Sequence, residues 1–413
     1  MSGRVLILAH RNMATSTGEW RLISERALAL WRESGISTVV YTLTRRERLS
    51  SPSITPCVEG MEIHHFGYGS LLEIPIAFTK MVREVMKVAS HRSIKAVIIS
   101  GVLAYLSWPI LRRTGKILIT DIHGPIEEWL EYPPKFIKWR LLACFLVRLV
   151  KILEGTVISK CNATLVVSHP LEAYVKREYN SKQVFVIPCG AASHMTIEDL
   201  VSARIEWRKT FGIGDSPAFV YTGGLSKWQL VDKVCFLFNT LKKHIPNGKL
   251  LLITPDPKVA MDIACSSGLM QEDVICIALS ADEVGLALCA CDVGFLLRED
   301  NITNKMAFPN KFAEYVRSGL IIITSPGLVE PYEIVTQYKL GIGIVPGNMI
   351  QPSVFFDLKQ MIDKRKTDII SYYRRCLEIF ERHLDMHVQI RPFINFLIDS
   401  KNTASKSESD IIQ

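Results

Sequence analysis

The chain has 413 residues, 48% hydrophobic and 22% charged, a globular balance that excludes a disordered protein and, by length, implies two domains. Its net charge of +8 is mixed with acids, and no aromatic–basic nucleic-acid module stands out, so the anionic partner it weakly favours is a phosphate-bearing ligand or a membrane surface. Ten scattered cysteines form no CxxC pair, which reads as reduced, buried thiols of a cytoplasmic protein with no zinc site, and no apolar run is long enough to span a bilayer.

From the start of the chain, "RVLILAH" (4–10) reads as a buried strand, too short for the apolar core of a secretory signal. "STGEWRLISERALALWRESG" (16–35) reads as a helix with a polar start and a glycine stop. The strands "STVVYTL" (37–43), "AVIIS" (96–100), "KILITDIH" (116–123), "ATLVVSH" (163–169) and "QVFVIP" (183–188) follow. Near-continuous Val/Ile runs between helices predict a parallel sheet covered on both faces, a Rossmann-like domain over residues 1–190. Within it, "PPKFIKWRLLACFLVRLVKILEG" (133–155) is apolar with interspersed Lys and Arg. That pattern fits a core helix and a basic amphipathic helix on a membrane surface about equally.

The pattern restarts after "PCGAASH" (188–194). Strands "AFVYTGG" (218–224), "KLLLITP" (249–255), "DVICIA" (273–278), "CDVGFLL" (291–297) and "LIIIT" (320–324) predict a second Rossmann-like domain over 191–385. Cys289 and Cys291 alternate in "ALCACDVGF" and read as strand packing. Residues 366–398 read as helical, with 386–400 able to return to the first domain, and 401–413 as a disordered tail. Two such domains facing across a cleft would bind a ligand at the carboxyl ends of their strands.

Three clusters carry candidate chemistry. "YTGGLSKW" (221–228) places Gly223 and Gly224 at a strand end, where backbone can approach a phosphate, with Lys227 nearby; alone it is an ordinary tight turn. "FLLREDN" puts Arg298 just past another strand end. In "NKMAFPNKFAEYVRSGLIIITSP" (304–326), Pro309 opens a short helix and Gly319 stops it. Lys311, Glu314 and Ser318 share one helix face, expected to be exposed, with free N–H groups at the helix start to favour an anion.

Taken in order and spacing, "VYTGGLSKWQ", "CDVGFLLRED" and "FPNKFAEYVRSGLIIITSPG" resemble the nucleotide-sugar half of GT-B glycosyltransferases of the GT4-like (glycosyl transferases group 1) kind. "ATLVVSHPLEAYVKREY…VFVIPCG" and "VLILAH…STGEWRL" resemble stretches of the same family's acceptor domain. The resemblance implies a nucleotide sugar bound by Gly223, Gly224, Lys227, Arg298, Asn310, Lys311 and Glu314, with Glu314 on the ribose hydroxyls. It implies a histidine near the reacting sugar at His123, and catalytic roles for His123, Arg298 and Lys311. It further implies retention of configuration, no cofactor beyond the nucleotide-sugar co-substrate, and a saccharide or lipid-linked saccharide acceptor. No Asp-x-Asp metal clamp is present, so a metal-independent reaction is expected.

The chain also departs from the family pattern. Met306 stands where a first glutamate is usual, Gly224 replaces an arginine, Cys189 an asparagine and Ala192 an aspartate. Polysaccharide-assembly members with a similar "PNKF-EY" also lack that first glutamate. The losses nonetheless keep a second reading open, a non-catalytic GT-B protein that binds nucleotide or partner enzymes. A sugar-nucleotide epimerase shares the fold and donor, but no pattern beyond the fold supports it.

Overall fold

The branched aliphatic runs build two parallel sheets in the computed structural model, which describes residues 3–9, 18–49, 58–133, 139–192, 194–347 and 351–399. The expected tail at 401–413 lies outside the described residues. By its contacts the chain divides into two units, Met1–Ala192 with Asp385–Gln413, and Ser193–Leu384.

In the first unit, β1 (Arg4–Ala9), β2 (Ser37–Arg45), β3 (Met61–Tyr68), β4 (Ile94–Ser100), β5 (Ile117–Ile122), β6 (Ala163–Val166) and β7 (Val184–Val186) pair in the order β3-β2-β1-β4-β5-β6-β7, all parallel. Alternate residues face opposite layers, which is why these strands read as unbroken apolar runs. Leu6, Leu8, Val97 and Ile99 meet Met81 and Val85 of α2 (Ile74–Ala89) and Val157 of α3 (Arg140–Lys160). Ile7, Ile98 and Leu165 instead line a small cavity with Ile23 and Ala27 of α1 (Gly18–Ser34) and with Ile390 and Phe393. Those last two belong to the returning C-terminal segment. Asp385 bridges Ala191, Met386 N–H donates to Ala191 O at 3.1 Å, and Phe393 packs edge-on against Phe185.

In the second unit, β8 (Ala218–Thr222), β9 (Lys249–Ile253), β10 (Val274–Ile277), β11 (Val293–Leu296), β12 (Ile321–Thr324) and β13 (Gly341–Gly343) pair in the order β10-β9-β8-β11-β12-β13, again all parallel. The architecture is α/β with two Rossmann-like units, as the apolar runs predict. Three local readings change. Each sheet gains an edge strand, β3 and β13, whose "MEIHHFGY" and "GIG" lack the Val/Ile run of a strand buried on both faces. Cys289 caps the helix Ala281–Leu288 and Cys291 lies in the turn before β11, so neither is in a strand. The helical stretch 366–398 is interrupted at Asp368, which caps Ile369–His383, and again at Leu384–Asp385.

One buried carboxylate organises the second unit. Asp292 Oδ1 accepts from Arg204 Nη2 at 2.6 Å and Arg365 Nη1 at 2.7 Å, while Oδ2 accepts from Ala218 N at 2.8 Å and Arg208 Nη1 at 3.4 Å. Burial alone would raise its pKa, but Arg365 and Arg204 outweigh it and hold the carboxyl below its ordinary range. Removing one member of such a cluster leaves guanidinium groups buried without their counter-charge. Asp292→Ala is therefore expected to lose about 3–5 kcal/mol of stability in chemical denaturation at pH 7.

The first unit holds its own buried carboxyl on α3. Glu154 accepts from Tyr179 at 2.6 Å and Tyr105 at 3.1 Å, and burial outweighs both to raise its pKa to about 7. The ordinary value is 4.5, so between pH 4.5 and 7 the folded state binds more protons and stability falls as pH rises. The urea midpoint of the wild type should drop between pH 5 and pH 8, and that of Glu154→Gln should not.

Candidate functional site

Strand order in the second sheet reverses between β8 and β11, so the connections leaving these neighbours run apart and leave a crevice at their carboxyl ends. Most of the residues singled out in the sequence cluster there. Gly223 follows β8 with φ +119°, a conformation for glycine, and a Cβ on it would stand 3.3 Å from Lys311 Nζ. Arg298 follows β11; Ser325, after β12, accepts from its N–H and donates to its C=O, both at 2.8 Å.

The helix that carries the rest, α4 (Asn310–Arg317), is fixed by Tyr315. Its ring fills the space that a side chain at Gly294 of β11 would take, and its hydroxyl accepts from Thr222 N at 3.1 Å. At the far end Gly319 has φ +66° and lies against the Tyr373 ring, so both conformation and space require glycine.

The face bearing Lys311 and Glu314, expected to be exposed, is buried: the two residues are 9% and 6% exposed. Every residue from Lys311 to Arg317 is buried, because the helix packs against its own strands and against Ile369–His383. Lys311 Nζ donates to Gln229 Oε1 at 2.8 Å and sits 4.3 Å from the centroid of the Tyr221 ring. Burial, and then repulsion by Arg298, push the Lys311 pKa well below the ordinary lysine value; Glu314 acts in the opposite sense. The Arg298 guanidinium thus stands close enough to Lys311 to disfavour its charged form. Gly224 lies exposed after Gly223, Asn310 is half-buried at the helix start, and Lys227 is exposed on the short helix Lys227–Gln229, turned to solvent. Gln229 and Tyr221, which contact Lys311, lie within the stretch "VYTGGLSKWQ", but a neutral amide and a ring in it are not singled out by residue type.

His123 belongs to the first unit, just past β5. Its Nε2 lies 2.9 Å from Asp121 Oδ2 and its Nδ1 3.8 Å from Glu19 Oε1. Asp121 Oδ1 accepts from Arg26 Nη1 at 2.9 Å, and Arg26 Nη2 donates to Ile187 O. Burial opposes ionisation of Asp121, but His123 and Arg26 outweigh it and hold the carboxyl well below its usual range. An ionised carboxylate only accepts, so His123 Nε2 is the donor to Asp121, while Nδ1 faces the Glu19 carboxylate. Cys189, where the sequence resemblance expects an asparagine, is buried beside Asp121 and Arg26 and its thiol is pushed up to about 12. Met306, at the position of the missing glutamate, is also buried.

No protein-family model and no curated protein sequence matches the chain. Solved structures do. Sucrose-phosphate synthase from Thermosynechococcus elongatus superposes with a TM-score of 0.67 at 14% identity, covering 96% of this chain and 100% of that one. HepE from Anabaena, solved with UDP and glucose, gives 0.65 at 14% identity over 95% and 98%. WaaG, a glycosyltransferase involved in lipopolysaccharide biosynthesis, gives 0.63 at 11% identity over 95% and 99%. The chain has the GT-B fold of these glycosyltransferases.

A buried lysine held below its ordinary pKa costs stability wherever the unfolded chain would protonate it. Lys311→Met should therefore raise the melting temperature of the ligand-free protein at pH 7, by a gain of about 0.5–2 kcal/mol. That gain should shrink as pH approaches 10.5, where the unfolded lysine also loses its proton. A Lys311→Met protein less stable than wild type at neutral pH would overturn the reading of this lysine as strained.

Proposed function

We propose that the protein is a glycosyltransferase that moves a sugar from a nucleotide-sugar donor to a saccharide or lipid-linked saccharide acceptor, in polysaccharide or glycolipid assembly. The observation that carries this reading is the gathering of buried Lys311, Arg298 and Glu314 with the positive-φ Gly223 at the switch point of the second sheet. A nucleoside diphosphate would bring negative charge to Lys311 and Arg298 at the place where open α/β sheets bind nucleotides. Glu314, one turn beyond Lys311, accepts hydrogen bonds from the ribose hydroxyls; Gly223 and Gly224 let the backbone approach the diphosphate.

As the glycosidic bond breaks, negative charge grows on the leaving diphosphate. Lys311, Arg298 and the amides at the start of α4 stabilise it, the role that a metal clamp plays elsewhere. His123 is the acceptor-side group, held through Nε2 by Asp121. Transfer proceeds with retention in this reading, in the cytoplasm or on the cytoplasmic face of a membrane. HepE, solved with UDP and glucose, supports a uridine nucleotide as the first donor to try.

Buried Met306, in place of a glutamate, favours a second reading, a binding protein without turnover. Thermal shift and nucleotide release over a panel of nucleotide sugars separate the two. One donor at a hundred times its dissociation constant should stabilise the wild type by about 2.7 kcal/mol. The shift should vanish in Glu314→Ala and Glu314→Gln, and free nucleotide should be released slowly from the wild type. A shift without turnover, even with lipid extract present, selects the binding protein, and no shift with any donor overturns the site.

A further inference from the structure

The helix α3 is apolar on two opposite sides. Ala143, Val147, Val150 and Val157 are buried against the first unit, while Leu141, Phe145, Leu149 and Ile152 point away from it. The outward four are spaced by four, four and three residues, so they form one stripe, and Trp139 stands exposed just before the helix. Leu141 is 85% exposed and Phe145 65%. A helix apolar all round belongs in a core or in lipid, and half of this one has no protein against it among the described residues.

The charges name the occupant. Arg148 lies within the stripe, and Arg140 and Lys160 stand exposed at the two ends. The only acid on the helix, Glu154, is buried and bonded to two tyrosines, and Lys151 is tied to Glu127 and Glu178. The outward surface of α3 is therefore apolar and purely cationic. It matches an anionic bilayer, with arginine stems lying along the apolar surface and their heads among lipid phosphates. No described helix is long and apolar enough to cross a membrane, so this one would lie on it.

We infer that α3 docks the protein onto an anionic membrane surface, and that the acceptor is accordingly lipid-linked. The second clause rests on the proposed transferase reading; the first does not. Its link to the acceptor is the chain itself. The segment after His123 reaches Glu127, whose carboxylate accepts from Lys151 of α3 at 2.8 Å. A saccharide displayed at a lipid surface would thus be presented beside the strand end that carries His123.

Vesicle co-sedimentation without nucleotide tests the docking. Wild type should partition at least ten-fold more strongly onto phosphatidylglycerol-containing vesicles than onto phosphatidylcholine alone, and less so as salt rises. Phe145→Ser with Leu149→Ser should abolish partitioning without altering the thermal shift given by a nucleotide sugar in lipid-free buffer. If the double variant fails to fold, Arg148→Glu reads the same surface and should weaken partitioning several-fold. Equal binding by variants and wild type, no binding to anionic vesicles, or a wild-type dimer that the double variant dissociates would each overturn the proposal, the last by assigning the face to a second copy. Because the donor shift is measured without lipid and the partitioning without nucleotide, failure of one leaves the other standing.

Discussion

The second unit is arranged around a single buried charge. Asp292 has its side chain between guanidinium groups from two helices, and its backbone joins two strands: its N–H donates to Ala218 O and its C=O accepts from Ile321 N. A carboxylate in that setting is tolerable only with partners on every side, and the partners have to come from elements far apart in sequence. One ion cluster thereby fixes where β8, β11 and β12 begin. Their carboxyl ends, and the crevice between β8 and β11, follow from that.

The other buried charges behave differently, and the difference follows the direction of the strands. Asp292 stands at the amino ends of its strands, where arginines from neighbouring helices enclose it. Asp121, Arg298 and Lys311 lie at or beyond carboxyl ends, where parallel sheets leave room for ligands. Asp121 is matched by Arg26 yet keeps one oxygen for His123. Lys311 has a neutral amide and an aromatic ring as contacts, with Arg298 repelling it. Charge matched on all sides serves the scaffold, whereas Lys311, on which Arg298 and Glu314 act in opposite senses, stands where open α/β sheets bind ligands.

The α/β architecture was legible because central parallel strands are apolar on both faces, a signal that needs no knowledge of the partners. The edge strands β3 and β13 escaped notice because polar residues and glycines break their apolar runs, whereas β7 and β10, also at edges, keep theirs. At the candidate site, glycines and charged residues near strand ends stood out by type and spacing. What could not be read was the burial of Lys311 and Glu314. Helical periodicity places a residue on a face but does not say what covers that face, and here Lys311 is covered by Tyr221 and by Gln229, 82 residues earlier in the chain. Gln229 and Tyr221 escaped for a related reason: a neutral amide and a ring acquire meaning only once a lysine is found against them.

Helix α3 shows the same limit in its strongest form. Its inner and outer apolar stripes add up to a nearly continuous apolar segment, which sequence alone cannot divide between core and membrane. The buried polar groups divide it. Glu154 with Tyr105 and Tyr179, and Lys151 with Glu127 and Glu178, lie on the side turned to the unit and fix the rotation of the helix about its axis. With that rotation set, Leu141, Phe145 and Leu149 cannot turn inward without burying Arg148 and exposing the Glu154 network. The exposed stripe is therefore a consequence of how the helix is anchored, and a packing rearrangement that hid it would have to break the ion pairs first.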